Sequence, residues 1–269
     1  MNKLKLNYTS LSFLPILVCI PLGYQLINNI HFGGFKLFQE FLISAFNPKI
    51  DNEIIITVIK RLNETILIGF FSWLVSIIFG AIFGIISSNI FYKIFNIPNF
   101  FYRIIRFFLT IIRSIHEVVW GILLMQIYGI NFSIGIIAIC IPYIAVNSKV
   151  FAEQLETIDY KSFESINQIN APKFSSLLTL IWNPIINTFK NFGLYRLECS
   201  IRSTVILGLF GIGGIGTSIF LSFQTLNFRE LWTYLWSLAI LIILSGLIFK
   251  KIKFNTTNKI LSIFFIAVF

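Results

Sequence analysis

Charged residues are scarce in this sequence. Asp, Glu, Lys and Arg make up 12% of the 269 residues, and only 11 residues are acidic. A soluble domain usually has about 25% charged residues, so this chain could not cover a water-facing surface. Hydrophobic residues reach 57% and form continuous runs instead of short alternating segments, which disfavours a transmembrane β-barrel. The composition therefore indicates an all-α polytopic membrane protein.

Cysteine and histidine are scarce too, with three and two residues. Cys19, Cys140 and Cys199 lie in apolar segments without the spacing of metal ligands, and we interpret them as small buried hydrophobes. We predict no metal, no cofactor and no catalytic residue, because the sequence shows no nucleophile–base set. The net charge of +10 comes from basic residues scattered between apolar runs, as loop charges are, and does not indicate nucleic acid.

Apolar runs of about 20 residues predict a helical bundle of about six transmembrane helices. The predicted spans lie at about 11–30, 62–86, 113–128, 132–150, 185–210 and 231–249. Phe35 to Phe46 is predicted to form a short surface helix that ends at Asn47-Pro48. In residues 100–112, aromatics alternate with arginines, which is typical of an interfacial helix.

Basic residues outside the predicted spans are unevenly divided between the two sides. With six spans, twelve lysines and arginines share the side of both termini, and five lie on the other side. The positive-inside rule then predicts a multi-pass protein of the bacterial cytoplasmic (inner) membrane with both termini cytoplasmic. We divide the chain into an N-terminal helix with an extracytoplasmic segment (1–56), a transmembrane core (57–250) with a cytoplasmic loop at about 151–184, and a C-terminal tail (251–269).

The loop at about 151–184 is the longest polar stretch of the chain. Phe163, Ile166 and Ile169 are three residues apart, which predicts a short helix whose apolar stripe fits a groove of a soluble partner. Asn170 can take the left-handed conformation that ends such a helix. The alternative is a solvated loop that carries a surface helix.

A first set of charges falls in the third predicted span. Arg113, His116, Glu117 and Trp120 are spaced to share one helix face. A charge that faces lipid at mid-membrane costs at least about 2.5 kcal/mol, so we expect this face to contact protein, water or headgroups. Alternatively, Arg113 and Glu117 form a structural ion pair. We interpret His116 as a packing residue.

A second set of charges, Arg196, Glu198 and Arg202, falls in the fifth predicted span and indicates a functional site. Glu198 and Arg202 are four residues apart and can pair, whereas Arg196 is expected to point to roughly the opposite side. Because one helix cannot satisfy all three charges, we expect a second subunit or an aqueous pathway beside them.

A glycine-rich stretch follows the fifth predicted span. It contains Gly208, Gly211, Gly213, Gly214 and Gly216. Its formal GxGxxG pattern does not indicate a dinucleotide site, because such a site needs a βαβ unit around it. We expect a flexible break at the outer end of the span, with close helix packing as the alternative.

In this order and spacing, these elements resemble the phosphonate-type permease subunits of binding-protein-dependent ABC importers, over about 57–247. The matching motifs are Phe163-Glu164-Ser165-Ile166, Asn170-Ala171-Pro172-Lys173 and Pro184 in the loop, Arg113-Ser114-Ile115 with Glu117, and Arg196-x-Glu198-x-x-x-Arg202 with the run to Gly216. Such proteins usually have proline where this chain has His116. In the loop, Ser165 and Ile166 replace two alanines, and Asn170 replaces a glycine.

The resemblance implies the ABC importer permease fold of type I, a homodimer of permease subunits, cytoplasmic ABC ATPase subunits and an extracytoplasmic solute-binding protein. The sequence has no GxxxxGK[ST] motif, so ATP hydrolysis is expected on a separate subunit and this chain is predicted not to be an enzyme. The implied ATPase-coupling residues are Phe163, Glu164, Ser165, Ile166, Asn170 and Lys173. The substrate pathway would include Arg113, Glu117, Arg196, Glu198 and Arg202. Its excess of one positive charge favours phosphonate, phosphite or phosphate.

Other functions remain open from the sequence. An importer for another small solute, such as methionine, would have a similar loop, and only the arginines in the spans argue against it. A non-ABC subunit of a membrane complex would place carboxylates along a proton path, and Glu117 with Glu198 is a minimal version of such a path. An ion channel is a third option, but no filter motif is visible.

Overall fold

We describe a computed structural model of the chain at residues 19–21, 23–25, 33–158 and 172–247. The described residues belong to two compact units, one that ends at Asn47 and one that begins at Pro48. In the first unit, helix α1 spans Gly33–Ser44, in agreement with the predicted short helix. The predicted span at 11–30 lies largely outside the described residues.

The second unit consists of helices wherever it is described as regular structure. They are α2 (Asn52–Ile86), α3 (Asn89–Phe95), α4 (Phe100–Ser114), α5 (Glu117–Tyr128), α6 (Phe132–Glu156), α7 (Lys173–Thr188), a π-helical turn (Phe189–Gly193), α8 (Leu194–Gly208), α9 (Ile215–Gln224) and α10 (Phe228–Leu247). The prediction of an all-α bundle is confirmed.

Three of these helices, α2, α6 and α10, are long and apolar enough to cross a membrane. They confirm the spans predicted at 62–86, 132–150 and 231–249, although α2 begins ten residues earlier. Helices α4 and α5 pass the same test only as a pair, and the pair is bent by 85°. By length and composition, the described residues therefore contain three such spans, or four if the bent pair is one.

The span predicted at 113–128 is wrong in its boundaries. Helix α4 ends at Ser114, and Ile115 and His116 have extended backbone before α5 begins. The 12 residues of α5 rise only about 18 Å, less than the roughly 30 Å of a bilayer core. Helix α4 has no buried residue and exposes most of its aromatic side chains, as an interfacial helix would.

Helices α2 and α6 pack closely through glycines of α2. A Cβ at Gly80 would lie 2.5 Å from Cβ of Asn147, and a Cβ at Gly84 would lie 2.6 Å from Cβ of Phe151. Such small-residue contacts are typical of helix packing in membranes. Beside this contact, the main core cluster joins Ile68 of α2 to Ile139 of α6 and to residues of α8.

The span predicted at 185–210 corresponds to a longer helical run that begins at Lys173 and ends at Gly208. Its π-helical turn, Phe189–Gly193, widens the helix and changes which carbonyl groups find partners within it. One of them, the carbonyl of Gly193, accepts a hydrogen bond of 2.7 Å from the indole N–H of Trp73. This bond fixes the turn to α2.

The glycine-rich stretch forms a tight turn into a helix, α9, that the sequence did not predict. Gly211, Gly213 and Gly214 have positive φ values of 91°, 121° and 74°, which glycine adopts without strain. Gly216 then packs against α8, where a Cβ would lie 2.1 Å from the carbonyl oxygen of Val205. The stretch therefore provides both a break and the close packing considered as its alternative.

Side chains of α2 hold the start of α9. The Gly214 N–H donates to the Glu64 carboxylate at 3.2 Å, and the Ile215 N–H donates to the Thr65 hydroxyl at 2.9 Å. Arg61 forms an ion pair of 2.8 Å with the same carboxylate. These contacts satisfy N–H groups that a helix N-terminus leaves open.

The start of α10 is joined to the segment before α2. The ammonium group of Lys49 lies 3.1 Å from the Glu230 carboxylate, and the Thr233 hydroxyl donates to the Lys49 carbonyl at 2.7 Å. The hydrogen bond to Glu230 raises the pKa of Lys49 above its ordinary value and so stabilises its charged form.

The cysteines occupy three different environments, and the prediction that all are buried is wrong for one of them. Cys140 is buried and Cys199 is half-buried, whereas Cys19 is exposed. The physical reason is that an apolar run predicts a helix that avoids water, and it does not predict which side of that helix contacts protein.

Candidate functional site

A polar cluster lies where α5, α6 and α8 meet. The Ser203 hydroxyl donates to the Glu117 carboxylate at 2.6 Å, and the Tyr143 hydroxyl lies 2.7 Å from the Ser203 oxygen. Because Ser203 gives its only proton to Glu117, Tyr143 is the donor to Ser203. Ser203 and Tyr143 are 4% and 6% exposed, and the Glu117 side chain is 12% exposed. With Arg196, we call these residues the Glu117 cluster.

Arg196 completes the cluster by stacking on the tyrosine. Its guanidinium carbon lies 3.7 Å from the centroid of the Tyr143 ring, which is a close cation–π contact. Its Nε is buried and has no hydrogen-bond partner among the described residues. A buried donor without a partner costs about 1–3 kcal/mol, so Arg196 is suited to receive an acceptor that comes from outside these residues.

Glu198 and Arg202 form the ion pair that their spacing predicts. The Arg202 side chain is 55% exposed and that of Glu198 is 25% exposed, so this pair lies nearer the surface of the chain than the Glu117 cluster does. Arg196 contacts Tyr143 and does not join this pair. The prediction that one helix cannot satisfy all three charges agrees with this arrangement.

The predicted shared face of Arg113, His116, Glu117 and Trp120 is wrong. The bend between α4 and α5 separates these residues. Arg113 lies in α4, whereas His116 caps α5 and Glu117 and Trp120 belong to α5. Arg113 lines a cavity of about 190 Å³, whereas none of the four residues of the Glu117 cluster does. Residue spacing defines a shared face only within one continuous helix, and the helix is broken at Ile115 and His116.

His116 is also misinterpreted as a packing residue. Its side chain is 62% exposed, and its Nδ1 accepts a hydrogen bond of 3.4 Å from the Val118 N–H, so it caps α5. Its Nε2 lies 3.5 Å from the second carboxylate oxygen of Glu117. His116 therefore caps α5 and lies beside the carboxylate whose other oxygen accepts from Ser203.

Most of the predicted ATPase-coupling residues, from Phe163 to Asn170, lie outside the described residues. Lys173 is described as the exposed first residue of α7. The helices on either side of the undescribed 159–171 segment are packed together by a hydrophobic cluster. Its buried members are Ile90, Ile94, Leu155, Leu177 and Ile181. This cluster therefore links α3, α6 and α7.

The residues predicted for the site do not include the buried hydroxyl and amide groups of the same helices. Tyr143 and Ser203 belong to the Glu117 cluster, and the buried Asn147 amide donates to Ser76 at 3.3 Å. The Asn147 carbonyl oxygen has no partner in the part of the chain that is described. These polar residues lie within predicted spans, where polar side chains generally hydrogen-bond to another helix. Their position could therefore have identified them as contact residues.

Replacing Glu117 with alanine should lower the stability of the chain. The change removes the acceptor of the buried Ser203 hydroxyl, and a hydrogen bond to a charged group contributes about 1.5–3 kcal/mol. Glu117→Gln retains an oxygen acceptor and should cost less. Thermal unfolding of the purified protein in detergent measures both effects, and Glu53→Ala, at an exposed carboxylate of α2, is the control. Equal losses for all three variants would contradict this role of Glu117.

The helix order and packing match a known membrane-protein fold. The fold is similar to that of the MetNI methionine ABC transporter in an inward-facing conformation, with a TM-score of 0.67, 17% identity, and coverage of 78% of this chain and 100% of that chain. No family model matches the sequence. At this identity, the likeness establishes an ABC importer permease fold and does not extend to the solute.

Relatives of known assignment make the resemblance more specific. A phosphite transport system permease protein of Stutzerimonas stutzeri is 25% identical over 156 residues, which cover 56% of this chain and 57% of the relative. A phosphate-import permease protein of Mycolicibacterium smegmatis is 26% identical over 114 residues, which cover 42% of this chain and 21% of the relative. The chain thus spans less than two thirds of the length of either relative. Its predicted resemblance to phosphonate-type ABC permease subunits is confirmed.

Proposed function

We propose that this chain is the transmembrane permease subunit of an ATP-driven ABC importer for a small phosphorus oxyanion: phosphonate, phosphite or phosphate. The observation that carries the choice of solute is Arg196, a guanidinium stacked on Tyr143 with a buried Nε that lacks a partner among the described residues. A planar guanidinium offers parallel N–H donors that match the oxygens of a phosphorus oxyanion. The relatives named for phosphite and phosphate transport support the same class.

The four charged residues of the site carry no net charge, so the preference for an anion comes from the Arg196 donor that has no partner among the described residues. The Glu117 carboxylate is bound by Ser203, and Glu198 is paired with Arg202, so Arg196 is the arginine of α8 that has no carboxylate partner within the described ranges. The pathway we propose contains these four charged residues. Arg113 is also predicted from the sequence to line the pathway, but the structure places it in a cavity that none of these four residues lines, so the proposed pathway does not depend on it.

The working assembly we propose contains two copies of this chain, cytoplasmic ABC ATPase subunits and an extracytoplasmic solute-binding protein in the bacterial inner membrane. Both termini and the 159–171 segment would be cytoplasmic. An ATPase that grips this segment would move α3, α6 and α7 as one body through their shared cluster, as in other rigid-body transitions. The solute would pass between the two protomers beside α8.

The proposed coupling segment can be tested by a charge reversal. Glu164→Lys should remove most of the ATPase that co-purifies with the tagged chain, because a like or misplaced charge disrupts a docked surface. Glu53→Lys, at the start of α2 and far from the contact of Gly84 with the last turns of α6, should leave co-purification unchanged. Intact co-purification of the ATPase with Glu164→Lys would mean that the loop has another role.

An uptake assay tests the proposed solute. Cells that express the chain with an ABC ATPase and a binding protein from its neighbouring genes should accumulate labelled phosphite, phosphonate or phosphate in an ATP-dependent way. Accumulation of methionine instead would overturn the oxyanion and leave the importer in place, a result that the fold alone would allow. Absence of any such genes and of ATP-dependent uptake would favour a subunit of a non-ABC membrane complex.

A further inference from the structure

We propose that the cavity between α4, the end of α6 and the end of α2 binds a phosphate group, supplied either by an anionic lipid headgroup or by free phosphate. This site goes beyond the proposed transport pathway and does not depend on it. The cavity has a volume of about 190 Å³, far more than the roughly 15 Å³ that one water needs. Its polar lining consists of Ser87, Arg106, Thr110, Arg113, Lys149 and Glu153.

The lining has three cationic side chains and one carboxylate. Arg106 is already engaged, because its Nε donates to the Ser87 carbonyl at 2.7 Å and it pairs with Glu156. Lys149 lies 3.4 Å from Glu153, longer than the 2.7–2.9 Å of a strong charge-assisted bond. The cavity therefore keeps a positive charge even when Glu156 is counted.

Arg113 carries the uncompensated charge. It is half-buried at the end of α4, and its guanidinium has no hydrogen bond or ion pair with any described residue. Its guanidinium therefore has all five N–H donors available at the cavity wall. A tetrahedral group with several anionic oxygens can bind this fork and the nearby ammonium of Lys149 at the same time.

The position of α4 explains how a lipid phosphate could reach the cavity. Arg106 and Arg113 are seven residues apart and lie on one face of the helix, whereas Phe100, Phe107 and Phe108 are 60–66% exposed. A helix with one basic face and exposed aromatics lies at the level of lipid headgroups. Basic pockets beside membrane helices at that level bind anionic headgroups.

The test compares Arg113→Gln and Lys149→Gln with Arg103→Gln in the purified full-length chain. Arg103 is a matched control, because it is an exposed arginine of the same helix that does not line the cavity. Lys149→Gln is included in case Arg113→Gln fails to fold. The Lys149 side chain is 50% exposed, so its replacement should not disturb folding. One arm counts the phospholipids retained from vesicles of phosphatidylglycerol and phosphatidylcholine by native mass spectrometry. The other measures radiolabelled inorganic phosphate by equilibrium dialysis in phosphatidylcholine nanodiscs.

If the cavity binds a headgroup, phosphatidylglycerol is retained by wild type and Arg103→Gln and falls about fivefold in each cavity variant. If it binds free phosphate, the dialysis arm shows the same pattern. Either result supports the site. The proposed site would be overturned if both cavity variants retained phosphatidylglycerol and inorganic phosphate as the wild type does. It would also be overturned if Arg103→Gln lost as much of either probe as the cavity variants do. Phosphate binding that is lost in Arg202→Gln and kept in Arg113→Gln would belong to the transport pathway and would also overturn the cavity.

Discussion

Arg196→Gln should lower uptake of the labelled phosphorus oxyanion at least about tenfold, since a hydrogen bond to a charged group contributes about 1.5–3 kcal/mol. The folded protein should remain, because Arg196 is held by the Tyr143 ring and not by an ion pair. Arg196→Lys should restore little uptake, because an ammonium lacks the planar pair of donors. Initial uptake rates, divided by the amount of chain in the membrane, measure the effect.

Arg202→Gln provides a second test of the same pathway. It removes a cation and leaves the Glu198 carboxylate unpaired, so it should repel an anion and abolish most uptake. Arg103→Gln makes the same change of charge on an exposed part of α4. Uptake of the labelled oxyanion by this variant should equal that of the wild type. If Arg196→Gln and Arg202→Gln both transported at the wild-type rate, α8 would not line the pathway.

Gly216→Ala should destabilise the fold by about 3 kcal/mol or more, at the upper end of overpacking effects. The added Cβ would lie 2.1 Å from the Val205 carbonyl oxygen and 2.9 Å from Cα of Gly208. Both are backbone atoms of α8, so neither can rotate away as a side chain could. Fluorescence-detected size-exclusion chromatography with a thermal ramp measures the loss of folded protein.

Gly246→Ala is the matched control for this substitution. A Cβ at Gly246 meets nothing within 4 Å, and alanine is favoured over glycine inside a helix by about 0.5–1 kcal/mol. Gly246→Ala should therefore leave the melting temperature equal or slightly higher. A Gly216→Ala variant as stable as this control would contradict the close contact between α8 and α9.

The sequence predicts those structural features whose interacting residues all belong to one continuous helix. The apolar runs of α2 and α6 gave those helices their correct type, and the four-residue spacing of Glu198 and Arg202 identified their ion pair. Local periodicity is sufficient in both cases because the interacting atoms belong to one helix. The resemblance to a permease family depended on the same local motifs.

The features that the sequence did not predict are long-range contacts. Ser203 and Glu117 are 86 residues apart, so no spacing rule links them. The break at Ile115 and His116 contains neither proline nor glycine, and its bend of 85° depends on packing around it. The capping of α9 by Glu64 and Thr65 joins segments 150 residues apart. For this reason the sequence grouped Arg113 with Glu117, whereas the structure separates them.

The wide turn at Phe189–Gly193, fixed by Trp73, has a rotational consequence for everything that follows it. A π-helical turn accommodates one extra residue, and one residue of an α-helix corresponds to a rotation of about 100°. Without that residue, α8 would present a different side to α6, and Arg196 would point away from Tyr143. The π-helical turn thus determines the direction in which the cationic side chains of α8 point. The Trp73 indole, which contacts none of those side chains, holds the turn in place.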